Sequence, residues 1–257
     1  MSIGGLALPR GVAIAAPAVG RLVVALRAPD GGLEVRVLAA PSVAPWARRV
    51  PVLRGVAAVA ASVGAGLRAV RLMSGSGPEV RPADAVLAAS AALAAMLLLF
   101  VGMPWAVSHA LGLPWADGAV RALLVAGWLW MLRLHPAGRA MYAYHAAEHR
   151  AVNAWEALGR VPLPEEAAAF PDRHPRCGFG LLSLVVVLAA VVMPVVPPIV
   201  RPLVLPLLAG AGYELLALGP VRRLALFAQG LVLAPCERGH LEAACAALRA
   251  AVEGGVA

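Results

Sequence analysis

His145-Ala146-Ala147-Glu148-His149 sets two imidazoles four residues apart, with a carboxylate beside the second. On a helix such positions share one face, their Cβ atoms about 5–6 Å apart. Two neutral imidazoles at that spacing can bind one metal ion, and a neighbouring carboxylate can polarise metal-bound water. His-x-x-Glu-His is the inverted zincin order, in which both histidines are ligands and the glutamate is the general base. Only three residues are fixed, however. A pair of packing or capping histidines hydrogen-bonded to Glu148 and Glu156 satisfies the same pattern.

The neighbours add polar groups to the same stripe. Asn153 lies four residues and Glu156 seven residues beyond His149, and the crowding of one side fits a buried polar cluster. A second group follows in His174-Pro175-Arg176-Cys177-Gly178. His174 and Cys177, with Glu156, are candidates to complete a tetrahedral zinc site with His145 and His149. Cys177 opens a helix beside Arg176, a setting that favours thiolate. Its plainer reading is a small packing residue in a turn. Arg176 is a candidate to orient an anionic substrate, with lipid phosphate or an ion pair as its plainer partner. Glu214 sits inside an apolar run, where a charge is costly and needs a partner or a function. It can pair with Arg121 or Arg176, join the metal site, or line an ion pathway. Tyr142 and Tyr144 read as interfacial anchors. His109, His135, His240, Cys236 and Cys245 lack paired spacing.

The elements that must position these groups read as a membrane protein. The chain is 61% hydrophobic and only 14% charged, against roughly 45–50% and 25% in soluble domains. All 22 basic residues are arginine, and the net charge is +8. The arginines are dispersed and flank apolar runs, which favours membrane topology over nucleic-acid binding. Three cysteines without framework spacing argue against disulfides. Arg10 and two prolines break the first apolar stretch, so it does not read as a signal peptide.

Residues 1–50 form a small β-rich region. Segments 21–27 and 33–38 alternate around the turn Ala28-Pro29-Asp30-Gly31-Gly32, which predicts a β-hairpin. Its plain role is a solvated cap. Residues 51–73 predict an amphipathic helix, interfacial or packed on the bundle, with a linker to 78. Residues 79–257 then form a helical membrane domain with four apolar segments, at 85–103, 117–134, 179–196 and 203–218. The second and fourth are short, so two full spans with two re-entrant segments is an alternative. A helix from Pro136 to Leu158, stopped by Gly159, carries the His-rich stretch. Residues 221–233 and 241–252 predict further helices. Arginines cluster before the first span, across the loop 135–178 and after the fourth span. The positive-inside rule then places both termini and the His-rich loop in the cytoplasm of a multi-pass inner-membrane protein.

Tyr144–Glu156 followed by His174–Gly178 resembles the YqhQ-like family of bacterial membrane proteins, domain of unknown function 1385. That family reads YHGAEHKTINxYE and then HPRCGTSF. Leu205–Glu214 is similar to its LPxxAGxxYE, and Gly4-Gly5 with Gly11-Val12 resembles its opening GGQAVxEGVMMR. The resemblance implies a membrane fold and a metal-dependent enzyme of unassigned reaction. It marks His145, Glu148, His149, Asn153, Glu156, His174, Arg176, Cys177 and Glu214. The chain departs from the pattern at Leu6, Arg10 and Ala15, at Phe179-Gly180-Leu181, and at Ala234–Arg238, where the family has a TTREPDD-like stretch.

The expectation is therefore a mainly α polytopic membrane protein with a small N-terminal hairpin and a cytoplasm-facing zinc site. Its reaction class is metal-assisted hydrolysis of a membrane-associated or lipid substrate. Glu148 is the expected base, and His145, His149, His174, Cys177 and Glu156 are the candidate ligands. A membrane scaffold with a structural cluster, and a transporter through Glu214, are the other classes.

Overall fold

The structure is a computed structural model describing residues 3–28, 30–44, 46–47, 49–74, 90–91, 95–96 and 98–254. The N-terminal region forms a four-stranded antiparallel sheet in chain order: β1 (Gly4–Leu8), β2 (Gly11–Ala16), β3 (Arg21–Arg27) and β4 (Leu33–Ala39). The expected hairpin is β3–β4, running from Arg21 opposite Ala39 to Arg27 opposite Leu33. Two further strands precede it. Strand β2 gave no alternating signal because it is buried on both faces and reads as a continuous apolar run. Between β2 and β3, Gly20 takes φ 69° and closes the turn by donating to Pro17 O.

Both faces of the sheet are covered. Val12, Ile14, Val23 and Ala25 pack on α4 (Pro136–Leu158) and α9 (Arg238–Val252). Leu8, Ala13, Leu22, Val24 and Leu26 pack on Ala65 and Ala69, near the end of α1 (Leu53–Ser74). The sheet is thus part of the core rather than a solvated cap. Helices α4 and α9 meet through small residues, Ala147, Ala151 and Ala154 against Ala243, Ala244 and Ala247. Small side chains let two helix axes approach closely.

Helix α4 begins and ends where local signals place it. His135 Nδ1 accepts the Ala137 N–H at 3.3 Å, Pro136 occupies the first turn, and Gly159 closes the helix at φ 69°. His135 is therefore a cap. Among the described residues the further α-helices are α2 (Met103–Leu111), α3 (Pro114–Leu132), the short α5 (Pro164–Ala167), α6 (Gly178–Val192), α7 (Arg201–Leu215) and α8 (Gly219–Ala228).

Among the described residues, Leu53–Met73 and Gly178–Val195 are long and apolar enough to cross a membrane. Arg201–Leu215 with Gly219–Val232 makes a third candidate only as a pair bent by 110°. Four segments were expected. About half of the first, 85–103, lies outside the described residues. The second corresponds to α3, where Asp117 and Arg121 form an ion pair at 3.0 Å, and it is not among the candidates. Helix α1, expected to be amphipathic, is a candidate because Arg54, Arg68 and Arg71 sit near its ends and leave 55–67 uncharged. Large apolar side chains on these helices are exposed, including Val63, Leu67, Leu182, Val187, Val191 and Leu203.

Candidate metal centre

Helix α4 turns His145 and His149 toward two irregular segments that arrive from elsewhere in the chain. One is the loop 171–177 leading into α6, and the other is the turn Gln229–Val232 after α8. His149 Nδ1 lies 2.6 Å from Asp172 O, and His145 Nδ1 lies 3.1 Å from Val232 O. A carbonyl oxygen only accepts, so both Nδ1 atoms carry the proton and both lone pairs stand on Nε2. The two rings lie 4.4 Å apart between centroids. Cys177, the residue capping the start of α6, brings Sγ to 3.2 Å from His145 Nε2. One ligand atom each from His145, His149 and Cys177 lies within 4.8 Å of the others.

The group is buried. His149 is 2% and Glu148 5% exposed. Burial lowers the His145 pKa, and burial with the neighbouring histidines lowers that of His149 to about 3. Both rings are therefore neutral at pH 7, the state a metal ligand requires. Burial and the nearby Glu148 push Cys177 up to about 12. Without a metal it is a thiol donating toward His145 Nε2, not the thiolate expected from its place beside Arg176. Burial outweighs the helix N-terminus, and Arg176 is turned away to Glu156. Glu148 Oε2 stands 3.7 Å from His149 Nε2, and burial raises this carboxyl to about 8.

Two expected ligands stand beside the group rather than in it. His174 is buried, its ring 5.9 Å from that of His149. Its Nδ1 accepts the Arg176 N–H at 3.3 Å, so the proton of the neutral ring is on Nε2. That tautomer is opposite to the one at His145 and His149. The protonated Nε2 faces Glu156 Oε2 at 3.5 Å. Glu156 in turn is ion-paired with Arg176. Together with Trp155 and Gly159 this pair lines an open concavity of about 350 Å³.

Asn153 and Gln229 hold the loop in place. Asn153 Nδ2 donates to Pro171 O at 2.8 Å and to Arg173 O at 3.0 Å. With His149 on Asp172 O, three successive carbonyls are fixed to α4. Gln229 is buried and makes a reciprocal pair with the His174 backbone, accepting its N–H at 3.1 Å and donating to its carbonyl at 2.9 Å. Sequence reading singled out Asn153 but missed Gln229 and the carbonyls of Asp172 and Val232. The carbonyls leave no trace in a sequence. Gln229 leaves one, as the single glutamine of the chain, just as Asn153 is its single asparagine.

Glu214 is committed elsewhere. Both its oxygens pair with Arg54 on α1, and Oε1 accepts the Val52 N–H at 3.2 Å. Arg121 and Arg176, its expected partners, are bound to Asp117 and Glu156. A side chain at Gly210 would overlap Val52 O, and one at Gly55 would come within 2.7 Å of Tyr213 Cβ. The segment Leu205–Glu214 thus serves the close crossing of α1 and α7. Tyr142 and Tyr144 are core residues rather than interfacial anchors. Tyr142 donates to Leu129 O at 3.0 Å, and Tyr144 packs edge-on to His240. His240 Nδ1 accepts the Glu237 N–H at the start of α9.

Comparison with curated proteins and with solved structures finds no match. Residues 50–253, which include every side chain of the centre, match the family model described as protein of unknown function (DUF1385). The chain belongs to the DUF1385 family.

Proposed function

We propose that this chain is a multi-pass inner-membrane protein that holds a zinc ion on His145, His149 and Cys177 and catalyses metal-assisted hydrolysis at the cytoplasmic face. The observation that carries the reading is the shared tautomer of the two histidines. Each Nδ1–H is spent on a backbone carbonyl, the arrangement that orients metal-binding imidazoles. Both Nε2 lone pairs are left beside one thiol. Two imidazoles and a sulfur suit zinc and disfavour the hard cations that need oxygen ligands. Three protein ligands leave a fourth position, where bound zinc would supply a Lewis acid for activating water.

Glu148 is the base in this reading. It is close to the ligand atoms, and a carboxyl held at about 8 is matched to proton transfer near neutral pH. Arg176, on the rim of the concavity, orients an anionic group that replaces Glu156 as its partner. A substrate with an anionic headgroup in the bilayer fits both this arginine and the exposed apolar helices. The arginine distribution orients the termini and the segment 135–178 toward the cytoplasm.

Metal analysis of detergent-purified protein tests the reading. Wild type is expected to carry about one equivalent of zinc, and His145→Ala and His149→Ala to carry none. A wild type without stoichiometric metal, or one unchanged by His149→Ala, overturns it. A structural centre in a membrane scaffold is favoured by one observation, the burial of His149, Cys177 and Glu148, since structural zinc sites are closed. Glu148→Gln separates the two readings. It keeps the metal in both, and it abolishes hydrolysis of ester, amide and phosphodiester probes only if the centre is catalytic.

A further inference from the structure

Strand β1 lies at a free edge of the sheet and runs over α4 at the metal centre. Gly4 and Gly5 are both exposed but face different surroundings. A Cβ added at Gly4 meets nothing within 4 Å. A Cβ added at Gly5 would overlap the carboxyl carbon and Oε1 of Glu148 and would come within 2.6 Å of its Cγ. Gly5 pairs with Ile14, whose side chain belongs to the core shared with α4, so the two residues point to the same face. The Glu148 carboxyl is therefore seated directly on the Gly5 backbone. His149 Nε2 stands 3.7 Å from Oε2.

We infer that Gly5 is a positioning residue for Glu148, and that strand β1, which precedes the family-matched segment 50–253, is the outer wall of the metal centre. The buried carboxyl thus has the Gly5 backbone and the ligand imidazole of His149 as close neighbours. A methyl group at position 5 must push it toward the ligands or out of the centre. The glycine here admits the end of a side chain rather than an unusual backbone angle, so a Cβ at this position is accommodated only by moving the Glu148 carboxyl. No positive φ is recorded at Gly5. This inference rests on the metal reading above for its consequence, while the steric contact stands independently of it.

The test is a set of variants in the full-length, detergent-purified protein, read by Co²⁺ titration and by thermal unfolding. Gly4→Ala is the strand control and is expected to match wild type in both. Gly5→Ala is expected to weaken Co²⁺ binding about 10–100-fold, the usual effect of disturbing groups around a metal site. It is also expected to alter the visible absorption of the bound Co²⁺, a change that destabilisation of the strand alone would not produce. Glu148→Asp withdraws the carboxyl from Gly5 by one methylene. Gly5→Ala/Glu148→Asp is then expected to bind no more weakly than Glu148→Asp alone, because the clash is gone.

Gly5→Ala behaving like Gly4→Ala overturns the inference. So does independent multiplication of the Gly5→Ala and Glu148→Asp effects. If wild type binds no metal, the hydrolase reading falls by itself, and the coupling is read from the unfolding midpoints of the same four proteins. Additive midpoint changes would then overturn the positioning role, and a coupled change would sustain it.

Discussion

Cys177 and His145 share one proton in the metal-free protein. The thiol donates to an Nε2 whose partner Nδ1–H is held by Val232 O. A metal ion takes the place of that proton, so affinity falls as pH drops and the imidazoles compete for protons. Stability of the chelator-treated protein carries two opposed contributions near neutral pH, one from the buried histidines and one from Glu148. His149 has its pKa lowered from 6.5 to about 3, so its contribution is present above 6.5 and is lost as pH falls toward 3. Glu148 is raised from 4.5 to about 8, so its contribution is full below 4.5 and is lost as pH rises toward 8. Between 4.5 and 6.5 the two slopes oppose each other. Thermal unfolding of the metal-free protein is expected to peak in that window and to decline on both sides. Glu148→Gln should remove the decline up to about pH 8, leaving the acid one and, above pH 9, that of the buried Cys177 thiol.

Two carboxamides and two helices shape the centre at the level of elements. Helix α4 is a rigid rail that places His145, His149 and Asn153 on one stripe, and the loop 171–177 is fastened to it at three carbonyls. Gln229 fastens the same loop from the turn after α8. Gln229→Ala leaves a buried N–H and carbonyl without partners, each worth about 1–3 kcal/mol. Equilibrium unfolding should show a loss of ~2–4 kcal/mol, and zinc affinity should fall because Cys177 lies three residues beyond the freed His174. An unchanged midpoint would mean that water replaces the amide. The crossing of α1 and α7 is built differently, from Gly55, Gly210 and the Arg54–Glu214 pair. Small residues that let two backbones touch are the usual device where lipid supplies no hydrophobic drive between helices.

The whole molecule divides its apolar residues between two tasks. The sheet, α4 and α9 bury most of theirs in a shared core, whereas α6 and α1 leave several large apolar side chains exposed. Exposed apolar surface on that scale needs a partner, and the proposed partner is the bilayer. Membranes from expressing cells should retain the protein through high-salt and alkaline carbonate washes and release it only into detergent. Release by salt would show that the arginines, not the apolar helices, hold it there. The candidate metal centre lies where the core meets the start of α6, and this position is what the proposed chemistry at a membrane face requires.

Sequence by itself determined what local rules control. Pro136 and Gly159 bounded α4, the four-residue spacing put His145 and His149 on one face, and turn residues marked the β3–β4 hairpin. Strand β2 was not legible because burial on both faces erases alternation, and β1 because Gly4 and Gly5 leave it only three side chains to carry a pattern. The membrane segments were legible only in part, since charges at helix ends and an internal ion pair change which segments qualify. The ligand set was decided by tertiary structure alone. Cys177 and His174 are equally good candidates on paper. A backbone carbonyl leaves His145 and His149 each with the lone pair on Nε2, while a backbone N–H uses the Nδ1 of His174 and turns its protonated Nε2 to Glu156. Main-chain groups carry no sequence signature, and only the fold brings them to the rings.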